Sequence, residues 1–180
     1  MFDIKDNLLV GAIFIESPNC SERSNQDLSL IVIHNISLPP NKFDNDFVEK
    51  FFQNKLNPDE HPYFREIENL KVSSHLYIKR DGSIIQFVPF NLKAWHAGVS
   101  NFEGQDDCNE FSIGIELEGA DDIAYTKQQY EILAEATNAL LNKYPLMNKR
   151  RIVGHSDIAP SRKTDPGPSF SWQKYRSSLS

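Results

Sequence analysis

The feature that most constrains the fold is a set of short apolar runs, each of which ends near a polar residue. Residues 29–33 (SLIVI) are rich in β-branched side chains, which is typical of a strand buried on both faces of a sheet. Residues 111–118 (FSIGIELE) and 151–154 (RIVG) are predicted as further strands. Helix-like segments separate such runs, so the alternation predicts an α/β domain with a central mixed β-sheet flanked by helices.

Local signals predict the other elements. Residues 74–79 and 83–88 read as a hairpin around Arg80-Asp81-Gly82, which is a strong turn sequence. Residues 126–129 (TKQQ) form a capping box that opens an amphipathic helix ended by Pro145. The remaining predictions are a strand or core-packing arm at 8–15, a helix at 44–52, a terminal helix carrying Trp172 and Tyr175, and loops at 16–28, 57–64, 91–110 and 156–170.

Length and charge limit the possible classes of protein. A chain of 180 residues with 39% hydrophobic residues fits one domain, residues 1–180, with a core that needs no disulfides. The net charge of -6 gives no general attraction for nucleic acid or anionic membranes. No apolar run approaches the ~20 residues of a membrane helix. The first residues, MFDIKDN, lack the basic start of a signal peptide, so we expect a cytoplasmic location.

Two histidines follow predicted buried strands and are candidate metal ligands. His34 comes after LIVI and His155 comes after RIVG. Ligands collect at strand ends in open α/β sheets, and Asp165 could add a carboxylate to complete a catalytic zinc site. The spacing alone leaves two other readings open. A histidine at a strand end is often a hydrogen-bonded structural residue, and an Asp before Pro is a common turn former.

Glu116 and Lys163 are the candidate catalytic residues. Glu116 and Glu118 point to the same side of the predicted strand, which is either a solvent-facing acidic side or a side that brings a carboxylate near the metal. In the second reading Glu116 is a proton shuttle. Lys163 lies two residues before Asp165 and is either a solvated loop lysine or a group that stabilises a developing oxyanion.

Six segments together carry a resemblance to a known family. They follow one another between about residues 28 and 170: IVIHNISLPP, HPYF, SSHLYIKRDGSIIQFVPF, AWHAGVS, CNEFSIGIELEG and GHSDIAPSRKTDPGP. In this order they resemble the AmpD-type 1,6-anhydro-N-acetylmuramoyl-L-alanine amidases. That group belongs to the wider zinc amidases, which include phage lysozyme amidases and peptidoglycan-recognition proteins.

The resemblance implies a specific activity and a specific site. It implies zinc bound by His34, His155 and Asp165, with Glu116 and Lys163 assisting hydrolysis of the bond between a muramic-acid lactyl group and L-alanine. The implied substrate is a muropeptide handled in the cytoplasm during cell-wall recycling, with no obligate protein partner. Phage and animal relatives carry a catalytic Tyr where this chain has Ser74, so Glu116 is expected to take over that role.

Four residues are predicted to contact the substrate. Asn35 follows a candidate ligand, and its amide can both donate and accept hydrogen bonds. Trp95 can offer a flat apolar face to a sugar, His96 a polar edge, and Lys71 a charge for an acidic stem peptide. The alternative is that Trp95 anchors its loop and Lys71 is simply solvated.

Three other functions remain open from the sequence. A secreted amidase that acts on intact wall would need an export signal. A non-catalytic peptidoglycan-binding module would be expected to lack a zinc ligand, whereas all three candidate ligands are present here. A structural α/β domain without metal is distinguished from both by the zinc content of the purified protein.

Overall fold

The computed structural model describes residues 2–24 and 26–180. The strands are β1 (Ile4–Lys5), β2 (Leu8–Leu9), β3 (Ile13–Phe14), β4 (Cys20–Glu22), β5 (Leu30–Ile36), β6 (Leu76–Ile78), β7 (Ile84–Gln86), β8 (Leu92–Ala94), β9 (Asn101–Phe102), β10 (Gln105–Asp106), β11 (Ser112–Glu118) and β12 (Ile152–Gly154). The helices are α1 (Phe47–Phe52), α2 (Pro62–Ile67), α3 (Lys127–Lys143), α4 (His155–Ile158) and α5 (Trp172–Ser177), with 3-10 turns at Cys108–Glu110 and Lys149–Arg151. Within the described ranges, no helix is long and apolar enough to cross a bilayer.

Six strands form the central sheet in the order β12-β5-β11-β6-β7-β3. The first four run parallel to one another, β7 is antiparallel to β6, and β3 runs parallel to β7. The predicted α/β domain with a central mixed sheet is therefore confirmed. The long central strands β5 and β11 explain the sequence pattern, because the run from Leu30 to Ile33 in β5 is fully buried and every residue of β11 is buried.

The two faces of the sheet have different roles. On one face, alternate residues of β5 and β11 pack with α3 in one apolar cluster that includes Ile31, Ile33, Ile113, Ile115, Leu133 and Leu140. Helix α3 begins with the predicted capping box between Thr126 and Gln129. Because side chains alternate along a strand, His34 and Glu116 point to the opposite face.

Helices α1 and α2 cover part of this second face. Phe51 of α1 and Phe64 of α2 belong to a separate apolar cluster with Tyr77 of β6. The prediction of a loop at 57–64 is wrong for its last three residues, where α2 begins. Pro62 reads as a helix breaker, but in the first turn its missing N–H costs nothing. His61 caps this helix by accepting a hydrogen bond from the Tyr63 N–H.

The other predicted loops also contain short regular elements. Residues 91–110 hold β8, the β9–β10 pair and a 3-10 turn, and residues 16–28 hold β4, which pairs with β8. In the predicted loop at 156–170, the first three residues continue helix α4. Strands of two or three residues outside the main sheet are too short to leave a periodic pattern in the sequence, which is why these elements were missed.

Candidate metal centre and active-site cavity

Strand pairing places three predicted functional residues in one row. Glu116 of β11 pairs with His34 of β5, and Gly154 of β12 pairs with Ile33. His155, directly after Gly154, therefore lies beside His34. The three residues lie side by side, on or directly after neighbouring parallel strands, and their side chains are on one face of the sheet. All three are buried.

His34, His155 and Asp165 converge on one point. The two Nδ1 atoms of the histidines lie 2.9 Å apart, and each lies 3.1 Å from Oδ2 of Asp165. Within the described part of the chain, these residues form a group able to hold a metal ion. The sequence-predicted ligands are thus brought together, and they form a candidate metal site.

The protonation of these groups makes a cation fit between them. The His155 Nε2–H donates to the carbonyl oxygen of Ala97 at 3.0 Å, so in the neutral imidazole, the form that binds a metal, the lone pair is on Nδ1. Burial lowers the pKa of His34 to about 4, so this ring is neutral at pH 7. Burial raises the pKa of Asp165, but His155 and His34 beside it have the larger combined effect, and the net pKa lies below its ordinary value. The Nδ1 lone pair of a neutral His155 and the carboxylate oxygen Oδ2 of Asp165 therefore face each other.

This donor set suits one class of ion. Two imidazole nitrogens and one carboxylate oxygen, with a further position open to a cavity, are the arrangement of catalytic zinc sites. A divalent cation would relieve the repulsion between the facing lone pairs and the anionic Asp165.

A cavity of about 420 Å³ opens over the candidate metal site. Its polar side is formed by Asn35, His96, Glu116, Asp121, His155, Lys163 and Asp165, and its apolar side by residues such as Phe51, Phe52, Tyr63, Ile67, Leu70 and Val72. Sequence reasoning missed this apolar wall and Asp121. The segment HPYF, which begins α2, is the sequence signal for the wall, but its proline favours the prediction of a loop.

Glu116 is buried at the floor of this cavity. It is only 9% exposed, and its Oε2 atom has no hydrogen-bond partner among the described residues. Burial raises the pKa of Glu116 well above its ordinary value, and the negative charge of Asp165 adds to this effect while Lys163 opposes it. A solvent-facing acidic strand is therefore ruled out.

Glu118 points the same way along β11 but has a structural role. Its side-chain oxygens accept hydrogen bonds from the backbone N–H groups of Asp44 at 2.8 Å and Arg80 at 3.0 Å. These bonds tie the connections next to the strand to the sheet. Of the two carboxylates, only Glu116 faces the cavity with an unpaired oxygen.

Lys163 and Asn35 lie at the rim of the site. Lys163 is exposed, lines the cavity, and is close enough to Glu116 to lower the pKa of that carboxyl. The Asn35 Nδ2–H donates to Oδ1 of Asp121 at 2.9 Å, which fixes the amide beside the candidate metal site.

The other three predicted substrate contacts occupy different positions. His96 lines the cavity, but both of its ring nitrogens lie within hydrogen-bond distance of protein atoms. Trp95 and Lys71 are not among the described residues that line it. The Trp95 indole N–H donates to Ser21 Oγ at 3.2 Å, and Lys71 is exposed. Substrate contacts by these residues stay predictions.

Known proteins with similar sequences identify the family of this chain. The sequence matches the family model described as N-acetylmuramoyl-L-alanine amidase over residues 24–168, which is most of the chain. The chain belongs to the N-acetylmuramoyl-L-alanine amidase family. Within this amidase family, a relative from Haemophilus influenzae named 1,6-anhydro-N-acetylmuramyl-L-alanine amidase AmpD is 53% identical over 178 residues, covering 98% of this chain and 97% of the relative. AmpD of Escherichia coli is 49% identical, covering 96% of this chain and 94% of its own.

Solved structures of the amidase family agree with the fold. A crystal structure of a selenomethionine derivative of AmpD matches with a TM-score of 0.96 at 48% identity, covering 98% of this chain and 99% of that one. AmpDh3 of Pseudomonas aeruginosa, solved in complex with anhydromuramic pentapeptide, matches with a TM-score of 0.63 at 25% identity, covering 94% of this chain and 64% of its own.

Proposed function

We propose that this protein is a zinc-dependent amidase of cytoplasmic cell-wall recycling. Its reaction is hydrolysis of the amide bond between the lactyl group of 1,6-anhydro-N-acetylmuramic acid and L-alanine in released muropeptides. The convergence of His34, His155 and Asp165 beneath the cavity carries the proposal. Support for the substrate class comes from the relatives named for this activity and from the AmpDh3 complex with an anhydromuramic pentapeptide.

The metal would be held by Nδ1 of His34, Nδ1 of His155 and the Asp165 carboxylate, which already surround one point. When bound, zinc supplies a Lewis acid that polarises the amide carbonyl and makes water a nucleophile near neutral pH. Asp165 contributes the one negative charge of the ligand set. With zinc bound, two neutral imidazoles and one carboxylate would leave the centre with a net positive charge, which would favour a developing oxyanion.

Glu116 moves the proton that the reaction must transfer. Its unpaired Oε2 accepts a proton from the attacking water, whose oxygen forms the new bond to the carbonyl carbon. The same carboxyl then gives that proton to the amide nitrogen as the carbon–nitrogen bond breaks. The second proton of the water leaves the newly formed lactyl carboxyl group and is taken up by the L-alanine amine, so near neutral pH the products are a muramic-acid carboxylate and a peptide with an L-alanine ammonium group. Glu116 returns to its starting state.

Lys163 stabilises charge during this step. Lys163 lines the cavity, and its positive charge opposes the rise in the pKa of Glu116. A positive charge there lowers the energy of the tetrahedral oxyanion more than that of the neutral amide. The lysine therefore acts on the transition state and not on the binding of the metal.

Four residues are assigned to substrate contacts. Asn35 lines the cavity with its amide fixed by Asp121, and it hydrogen-bonds the peptide next to the scissile bond. Trp95 contacts the sugar and Lys71 the acidic stem peptide from outside the cavity. A contact by His96 falls on its carbon edge, because both of its nitrogens already have partners.

A comparison of two substrates tests the function. The zinc-loaded protein is incubated with anhydro-muramoyl peptides and, separately, with intact sacculi, and products are identified by mass spectrometry. We expect free peptide and anhydro-muramic acid from the first substrate and little release from sacculi. No cleavage of the anhydro-muramoyl peptides would reject the proposal. Equal release from sacculi would instead favour an enzyme that acts on intact wall.

A further inference from the structure

A chain of hydrogen-bonding groups runs from His34 away from the candidate metal site. His34 Nε2 lies 2.9 Å from His96 Nδ1, and His96 Nε2 lies 3.1 Å from Ser112 Oγ. Ser112 Oγ in turn lies 2.5 Å from the carbonyl oxygen of Cys108. All four residues are buried, so water does not compete for these groups.

The last member of this chain fixes the direction of every hydrogen bond. The Cys108 carbonyl oxygen can only accept, so the Ser112 hydroxyl donates to it. Ser112 Oγ then accepts from the His96 Nε2–H, which leaves the Nδ1 of a neutral His96 as an acceptor. The His34 Nε2–H must therefore donate to His96, and His34 Nδ1 carries a lone pair that faces His155 and Asp165.

The position of His96 is itself closely fixed. Its backbone N–H and that of Ala97 both donate to Oδ1 of Asn109, at 3.1 and 2.8 Å. Its ring packs directly over Gly114 of β11, where a Cβ atom would lie 2.4 Å from His96 Cγ. Glycine in a strand interior is often explained by such a close approach. The absence of a side chain at Gly114 therefore leaves the space that the His96 imidazole occupies next to His34.

We propose that His96 is a positioning residue, which holds His34 in the tautomer that presents its Nδ1 lone pair to the metal. A histidine ligand generally donates its second N–H to an outer partner, and this bond sets both the tautomer and the ring orientation. Here the partner is another imidazole, whose own tautomer is set by Ser112 and the Cys108 carbonyl. The inference rests on the metal site of the proposed function and adds a residue outside the ligand set.

The tautomers can be read directly in the unmodified protein. Nitrogen-15 NMR of histidine-labelled, zinc-loaded protein distinguishes protonated from unprotonated ring nitrogens. We expect His34 and His96 each to carry a proton on Nε2 and none on Nδ1. A proton on Nδ1 of His96 would reverse the direction of the chain and overturn the proposal. This measurement does not depend on the folding of any variant.

A matched pair of variants tests the consequence for metal binding. Asn and Leu have nearly the same size and shape, but only Asn can accept a hydrogen bond near the position of His96 Nδ1. We expect His96→Leu to weaken zinc binding by roughly 10–100-fold in chelator competition, and His96→Asn to recover part of that loss. Equal affinities in the two variants, whether reduced or unchanged, would mean that the hydrogen bond does not position His34.

A control variant and the wild-type titration separate the possible failures. Ser17→Ala removes a buried hydroxyl that donates to Phe52 O and accepts from Asn19 N–H, and neither partner belongs to the chain from His34 to Cys108, so its zinc affinity should match the wild type. A comparable loss of affinity in Ser17→Ala would show that the effect is general loosening and would overturn the positioning role. Failure of the wild type to bind zinc would reject the proposed metal site itself.

Discussion

The strand half and the loop half of the site are built differently. The strand half comprises His34 and Glu116, whose side chains lie at paired positions of β5 and β11 and are 1% and 9% exposed. The loop half comprises Lys163 and Asp165, which follow α4, and its charged groups reach solvent. The loop half is tied down by backbone bonds such as Ser156 N–H to Asp165 O at 3.0 Å.

This difference predicts which substitutions affect both the stability of the fold and catalysis, and which affect catalysis alone. A change in the strand half alters a fully packed sheet, whereas a change in the loop half mainly removes a charge from the cavity. Substitutions in both halves should therefore lower activity, but substitutions in the strand half should lower the melting temperature more than substitutions in the loop half.

Removal of a metal ligand should have the largest effect in both halves. His34→Ala, His155→Ala and Asp165→Ala should each lose zinc and fall to background activity, because two remaining donors do not hold zinc tightly. Each variant should still fold, with Asp165→Ala closest to the metal-free wild type in melting temperature. Zinc content by mass spectrometry and turnover of an anhydro-muramoyl peptide are the measurements. Full zinc occupancy in any of the three would remove that residue from the ligand set.

Glu116 and Glu118 provide a matched test within the strand half. Glu116→Gln should retain zinc but lose roughly a hundred-fold or more in kcat, as expected for a general acid–base group. Glu118→Gln weakens the hydrogen bonds to Asp44 and Arg80, so it should cost about 1–3 kcal/mol of stability and leave kcat little changed. Near-normal turnover of Glu116→Gln would make it an ordinary buried strand residue.

Lys163 tests the loop half in the same way. Lys163→Ala should retain zinc and lose roughly a hundred-fold in kcat, because the oxyanion loses a fixed charge. The melting temperature should not change, since this side chain is exposed. Lys163→Arg keeps the charge and serves as the control, with partial recovery of kcat expected. A fall in zinc content in Lys163→Ala would assign the lysine to the metal site instead.

Substitution of Trp95 should have the smallest effect on activity, and two explanations of its role predict different results. As a substrate contact, Trp95→Ala should raise KM several-fold with little change in kcat or melting temperature. The competing explanation is that its indole N–H bond to Ser21 anchors the loop. In that case the melting temperature falls while KM stays the same, and this outcome would remove Trp95 from the groove.

The strand half was the more predictable part of the molecule. The run LIVI before His34 and the apolar residues around Glu116 follow directly from burial of a central parallel sheet on both faces. The alignment of His34 with Glu116 could not be read from the sequence, because strand register depends on pairing between distant segments. The observed register places Glu116 beside His34, so its side chain faces the cavity and not bulk solvent.

The loop half and the cavity wall could not be derived from residue patterns alone. Asp165 and Lys163 were singled out mainly by family resemblance, since an Asp before Pro has many structural uses. Helix α2 was missed because Pro62 resembles a loop signal, and with it the contribution of Tyr63 to the wall. The support of His34 by His96 and Ser112 spans three separate segments, so no local pattern predicts it.

The most direct test of the metal centre is anomalous diffraction at the zinc edge from crystals of the zinc-loaded protein. We expect one peak per chain at the floor of the cavity, about 2.0–2.2 Å from Nδ1 of His34, Nδ1 of His155 and an oxygen of Asp165. A peak bound through Nε2 of either histidine, or one at another site in an active protein, would contradict the assigned ligand set.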